Sequence, residues 1–393
     1  MKPPIPLEEA WDRLFAIAPR LPCEEIPADK ADGRVLVDPL RARRTQPDAD
    51  LSAMDGFAVA GPGPWQVVGE SRAGRPFSEG ISAGEATRIS SGAAVPRGAE
   101  AIVPVEDASF TNDLLAASHP ENSRYIRRRG FDFAEGDSLL DPGTPVGPAQ
   151  LALARAAGYD RITVSRQPVV TVIECGDELS GDAEDPGLHR IPASNGAMVA
   201  AMARSAGALA RQIGPLPDSR ESLARAIFSV SEGDVIVTTA GASVGAHDHV
   251  LGALEDCGAT IDFWRVAIRP GKPLLVGRLA NRIVIGLPGN PASSYVTAFL
   301  FLIPLLRTMQ GVVHARPQAL PLPLGASLPQ GGARREFLRG RWFNGSVHPL
   351  AERDSSALRT LASANVLIDR PMHVGSATPG ALVPCYLMDG RMT

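Results

Sequence analysis

Aromatic residues make up only 5% of this 393-residue chain, too few for the stacking platforms that bind single-stranded nucleic acid. A surplus of positive charge is missing too. Lys and Arg total 39 against 43 Asp and Glu, a formal net charge of −4, which argues against a nucleic-acid partner held by counterion release. Cysteine is scarce: Cys23, Cys175, Cys257 and Cys385 stand far apart, with no CxxC pair. That spacing argues against a zinc ribbon, a dithiol redox motif and a secreted disulfide framework. Long apolar runs are absent as well. The longest, residues 296–306, is interrupted by Thr297 and Pro304 and falls short of a bilayer core of ~30 Å. Glu8, Glu9 and Asp12 occupy the place where a signal peptide needs apolar residues. No repeat of fixed period is evident. These absences predict a soluble protein of a reducing compartment, the cytoplasm, with neither nucleic acid nor membrane as partner.

What the chain has in excess is glycine (39) and proline (35), together almost a fifth of all residues against a usual ~12%. We read them as tight turns between short elements. At ~150 residues per domain the length predicts two or three domains. Residues 7–16 have helical periodicity, with Trp11, Leu14 and Phe15 on one stripe. From 47 to about 133, short apolar runs alternate with Gly and Pro turns, the texture of a small all-β unit. Residues 149–157 read as a helix stopped by Gly158. After Pro168 strands alternate with helices: strands at 169–173, 235–239 and 283–287, helices at 194–206, 219–230 and 293–306. Such alternation predicts a parallel sheet with right-handed crossovers. Residues 315–393 return to short strands and predict a C-terminal β unit.

Each of the three strands runs into an unusual loop. The first continues as Glu174-Cys175-Gly176-Asp177-Glu178, the second as TTAGASVGAHD over residues 238–248, the third as Pro288-Gly289-Asn290-Pro291-Ala292-Ser293. Ligands of open α/β sheets bind outside the carboxyl ends of strands. Small residues before a helix leave N–H groups free for an anion. The loop from Thr239 to Gly245 therefore suits a phosphate, and Glu178 and Asp248 suit a divalent cation bound to it. Any one of these loops alone is ordinary turn chemistry; three on consecutive strand ends point to a site.

In this combination the chain resembles the molybdopterin molybdenumtransferases, the family that completes molybdenum cofactor synthesis and includes the E domain of gephyrin. Residues 52–59, SAMDGFAV, resemble the family's SAMDGYAV signature; Ser91-Gly92-Ala93 with 96–103 and Glu106 resembles its TGA…P.GADAVV..E segment. Gly130-Phe131-Asp132 with Gly136-Asp137 fits its G.D…GD element, and the three loops fit TGDEL, TTGGVSVGDYD and LPGNPVS. RPGKP at 269–273, REFLR at 335–339 and SSAL at 355–358 complete the likeness, which covers nearly the whole chain.

The resemblance implies an α/β multidomain fold in four parts. These are an elongated helical linker and dimerisation domain (1–46 and 134–167), a small β domain bearing SAMDG (47–133), a three-layer parallel-sheet molybdopterin-binding domain (168–311) and a C-terminal β domain (312–393). It implies a homodimer that places molybdate on adenylylated molybdopterin and releases AMP, with Mg2+ as cofactor. By the same likeness Asp248 and Glu178 hold the metal and act in catalysis, with Asp55 and Asp132 contributed across the dimer. Substrate contacts fall to Ser91, Thr239, Gly241, Ser243, Gly245, Pro288, Gly289 and Asn290. Molybdate contacts fall to Arg269, Lys272, Pro273, Ser293, one of Arg335 and Arg339, and Ser355 or Ser356. The chain departs from the family pattern at Cys175, Ala240 and Ala246, where Thr, Gly and Asp are usual, and Arg269 replaces a Lys. His247 and His249 flank Asp248, too close along one loop to share a zinc ion. The run Arg127-Arg128-Arg129 reads as a solvated edge or a guide for an anionic substrate. Two other readings stay open: a molybdopterin adenylyltransferase and a non-catalytic scaffold. A separate adenylyltransferase could also dock as a partner.

Overall fold

The structure is a computed structural model that describes residues 3–112, 114–118, 120–239 and 249–388. Its centre is a six-stranded sheet in the order Leu209–Leu216, Val169–Cys175, Val235–Thr238, Arg282–Gly286, Leu275–Leu279, Thr260–Trp264. The first four strands are parallel. The three strands read from the sequence are thus parallel as expected, but Leu275–Leu279 runs against both of its neighbours, so the sheet as a whole is mixed. Only Ala280 and Asn281 separate Leu275–Leu279 from Arg282–Gly286, and Ala280 has φ 54°. A two-residue connection makes a hairpin; it is too short to cross over to a parallel position.

Strand period two sends alternate residues to opposite faces, and both faces are apolar. Val170, Val172, Val235, Val237, Ile283 and Ile285 join the core beneath Asn195–Ser205 and Pro291–Gln310. Ile173, Ile236 and Val284 join Leu223, Ile227 and Leu254 from Arg220–Ser229 and Val250–Asp256 on the other face. The result is three layers. Ser219 caps Arg220–Ser229, its hydroxyl accepting from Ser222 N–H.

The helix expected at 293–306 runs on as one 20-residue piece, Pro291–Gln310, with a π-helical stretch at Ala298–Leu302 ahead of Pro304. It is long and apolar enough to cross a membrane, but 78% of its apolar window is buried inside the protein, as in a core helix. Pro304 has no N–H for the carbonyl four residues back, Leu300 O. The Trp11 indole Nε1–H donates to that oxygen at 2.7 Å. Trp11 lies on Leu7–Ile17, and Leu7, Ala10, Trp11 and Leu14 bury in the central core. This helix was expected in the linker unit with residues 1–46; its apolar stripe seats it on the central unit instead.

The linker unit is built from two separated stretches. Cys23–Pro27 pairs with Arg161–Ser165, and Leu40–Arg41 with Ser138–Leu140, over a core that includes Leu36, Ala154, Ile162 and Val164. Between them the chain forms a six-stranded β unit in which Gly56–Val59 lies between Ala101–Pro104 and Glu85–Ile89. A Cβ at Gly56 would sit 2.0 Å from Val103 O, so only glycine fits there.

The C-terminal sheet runs Ile268–Arg269, Arg335–Phe343, Val366–Arg370, Leu382–Leu387, Leu320–Pro323. Its first strand belongs to the central unit and pairs in parallel as Ile268↔Arg335 and Arg269↔Glu336. That shared edge sets residues 269–273 against 335–339.

Candidate active site

The three parallel strands end in one row. Register pairs Ile173 with Thr238 and Thr238 with Gly286, so the loops after them start side by side. Thr239 N–H donates to Ile173 O at 3.1 Å and Leu287 N–H to Thr238 O at 2.8 Å, carrying the row past the strands. Thr239 is 2% exposed, and its hydroxyl finds no partner among the described residues. Gly241, Ser243, Gly245 and Asp248 lie outside the described residues, as do Ala240, Ala246 and His247. Asp177 and Glu178 are exposed, and Asp177 Oδ1 accepts from Asp218 N–H at 3.0 Å.

Glu174, passed over in the sequence, is 6% exposed at the end of Val169–Cys175. Its carboxylate accepts the Asn195 N–H at 3.1 Å and also the Gly196 N–H. Burial pushes this carboxyl above the usual range, and the two N–H bonds pull against that rise. Asn195 Nδ2 then donates to Gly289 O at 2.5 Å. In the third loop Pro288 is buried while Gly289 and Asn290 are exposed. Asn290 Nδ2 donates to Ser355 Oγ at 2.8 Å, and Ala292 N–H to Ser355 O at 2.9 Å.

Beyond Ser355 lies a cavity of about 320 Å³ where the central and C-terminal units meet. Arg269, Lys272, Pro273, Ser293, Arg339 and Ser355 line it, so these expected residues do come together. Of the two pairs of alternatives, the cavity takes Arg339 over Arg335 and Ser355 over Ser356. Arg335 is held elsewhere by both carboxylate oxygens of Asp369, at 2.7 and 2.5 Å, and by Glu8. Ser356 turns its hydroxyl to Asp354 Oδ1 at 2.7 Å. Arg334, Glu336, Glu352, Arg353 and Asp354, absent from the sequence expectation, also face the cavity. Five cations against three acids make the lining positive.

Arg339 decides the character of this cavity. It is 6% exposed, yet no carboxylate pairs with it among the described residues; it donates only to Glu352 O at 3.0 Å and Ala357 O at 3.5 Å. Desolvation lowers its affinity for its proton, with Glu352 and Asp354 opposing that from a distance. A buried guanidinium without a counter-ion is costly unless an anion joins it. Arg269 is occupied by Glu336 at 3.1 Å, whereas Lys272 makes no ion pair among the described residues. Gly271 has φ 103°, and a Cβ there would lie 2.5 Å from Thr297 Cγ2, so the Pro-Gly-Lys turn presses directly on Pro291–Thr297.

The SAMDG segment forms a self-supporting turn in the β unit. Asp55 Oδ1 accepts the Ser91 N–H at 2.8 Å, Ser91 Oγ donates to Ala53 O at 3.4 Å, and Ser52 Oγ donates to Met54 O at 2.6 Å. Asp132 is exposed. Among the described residues no hydrogen bond joins this turn to the strand ends. Nor do any three His, Cys, Asp or Glu gather as a metal site among them. Glu178 does supply an exposed carboxylate, the hard oxygen donor magnesium takes while keeping waters and substrate phosphate for its other positions. In kind, the donor fits.

Three family descriptions match the chain in order: "MoeA N-terminal region (domain I and II)" over residues 5–158, "Probable molybdopterin binding domain" over 171–308, and "MoeA C-terminal region (domain IV)" over 321–388. Molybdopterin molybdenumtransferase 2 of Mycobacterium tuberculosis is 34% identical over 374 residues, 90% of this chain and 92% of its own. The chain belongs to the MoeA family of molybdopterin molybdenumtransferases. The Haemophilus influenzae molybdopterin molybdenumtransferase is 31% identical over 329 residues, 81% of each chain. A crystal structure of the molybdopterin biosynthesis MoeA protein of Pyrococcus horikosii superposes with a TM-score of 0.79 at 27% identity, covering 99% of this chain and all of that one. On this MoeA-family scaffold the row of strand ends falls within the molybdopterin-binding match. The wall from Arg334 to Ser355 falls within the C-terminal match.

Proposed function

We propose that this MoeA-family enzyme takes adenylylated molybdopterin at the row of strand ends, takes molybdate in the neighbouring cavity, and releases AMP as the molybdenum cofactor forms. The observation that carries the reading is Arg339, a buried cation without a carboxylate partner among the described residues, one loop away from those strand ends. A tetrahedral dianion suits that cavity: Arg339 and Lys272 supply charge, Ser293 and Ser355 supply hydroxyls, and Arg269, already paired with Glu336, shapes the rim. The substrate's diphosphate would meet the Thr239 hydroxyl and the glycines that follow. Pro288, Gly289 and Asn290 would hold the pterin end beside the cavity. Glu178 and Asp248 would hold Mg2+, which when bound neutralises charge on the diphosphate link. Asp55 and Asp132, which no hydrogen bond among the described residues joins to the strand ends, would come from the second copy of a homodimer. The cytoplasm is the setting this chemistry suits, and a separate adenylyltransferase would deliver the activated substrate.

Holding both substrates in one geometry makes the transfer effectively unimolecular. The test is incubation of the protein with adenylylated molybdopterin, molybdate and magnesium. AMP release together with active cofactor is expected. ATP consumption in place of AMP release, or no turnover, would refute the reading.

A further inference from the structure

Glu174 is a buried carboxylate on the central strand that ends at the site, and the residue roles proposed above do not use it. Its oxygens close the N-terminus of Asn195–Ser205 by accepting from Asn195 and Gly196, and a Cβ at Gly196 would stand 2.5 Å from Glu174 Oε2. The fit leaves no room for a side chain at Gly196. Asn195, 9% exposed, passes the constraint on: its Nδ2 holds Gly289 O, the next residue's Nδ2 holds Ser355 Oγ, and Ser355 borders the cavity. The Asn195 Oδ1 atom has no partner among the described residues, so its amide is oriented by Gly289 and by the capped backbone.

We propose that Glu174 is a positioning residue that, through Asn195, sets the Pro288–Asn290 loop so that the substrate row and the molybdate cavity stay in register. The inference rests on the proposed transfer reaction. A displacement of the loop by about 1 Å is enough to cost on the order of 100-fold in rate. The binding of molybdate alone would change far less, because Arg339 and Lys272 are untouched.

The test compares Glu174→Gln, Glu174→Met, Asn195→Ala and the Met/Ala double variant in the full-length protein, with activity scaled to the folded fraction. Gln keeps an acceptor for the Asn195 N–H and should stay within about threefold of the parent in kcat. Met removes both acceptors and should lower kcat roughly 10- to 100-fold, with direct molybdate binding within about threefold of the parent. Asn195→Ala should show the same loss, and the double variant no more than the larger single loss. A folded Glu174→Met enzyme with parental kcat, or fully additive losses, would overturn the proposal. So would a loss confined to KM. If Glu174→Met does not fold, Asn195→Ala decides alone, and parental kcat there is equally fatal. An inactive parent would instead condemn the transfer reading, so the two failures are distinct.

Discussion

Replacing Arg339 by Met separates the cost of a buried charge from its use. The guanidinium is 6% exposed and has, among the described residues, one well-formed hydrogen bond, to Glu352 O at 3.0 Å; the contact with Ala357 O at 3.5 Å is at the limit of a bond. Losing the good bond costs about 1.5–3 kcal/mol, as for a charged donor. Relief from holding an unpaired cation out of water is worth several kcal/mol in the other direction. Met has a similar length and no charge, so the ligand-free variant should unfold within about 2 kcal/mol of the parent, in either direction. Molybdate changes the comparison. At a molybdate concentration of 100 times Kd the parent gains about 2.7 kcal/mol from the ligand. Truncating one side of a buried ion contact costs about 2–5 kcal/mol, which raises Kd roughly 30- to 5,000-fold. At the same concentration the variant's gain then falls below about 0.9 kcal/mol. Thermal unfolding with and without molybdate, backed by calorimetric titration, reads both quantities. A variant that keeps the parental molybdate shift would refute the assignment of this cavity as the anion site. One that loses most of its stability without ligand would refute the reasoning about buried charge.

Lys272→Ala should weaken molybdate binding roughly tenfold or more and flatten its dependence on salt, since this exposed ammonium makes no ion pair of its own among the described residues; equilibrium dialysis at two ionic strengths checks it. Gly271→Ala places a methyl 2.5 Å from Thr297 Cγ2 at a left-handed φ, so it should cost about 1–3 kcal/mol and impair molybdate binding together, measured by denaturant unfolding and titration. Trp11→Phe removes the donor to Leu300 O inside the core and should destabilise by about 1–3 kcal/mol; Pro304→Ala restores a helix N–H for that carbonyl and should shrink the loss in a double-variant cycle. Burial pushes the Cys385 thiol and the Tyr386 hydroxyl up to about 12, from ordinary values of 9.0 and 10.0. Both groups are neutral when protonated and lose protons more easily once unfolded. Stability is therefore fully present below pH 9 and is lost as pH rises from there to about 12. Alkaline denaturation should be shallower in Tyr386→Phe.

The elements with strong local codes were readable from the chain alone. Continuous β-branched runs marked the three central strands, and the helix read at 219–230 matches Arg220–Ser229 closely, because these periods act over a few residues. Family motifs added the identity of the chemistry and most of the cavity: Arg269, Lys272, Pro273, Ser293, Arg339 and Ser355 do share one space. Arg335 and Arg339 could not be told apart in one dimension. They are four residues along one strand, about 13 Å of separation, and which one meets the cavity depends on Asp369 of the neighbouring strand and Glu8 of a distant helix. The seat of Leu7–Ile17 follows from a carbonyl left without its helix donor by Pro304, nearly three hundred positions away. The role of Glu174 likewise appears only once its strand abuts Asn195. Local patterns are set by neighbours in the chain; the pairing of buried charges and carbonyls is set by neighbours in space, because each must find its partner wherever folding puts one.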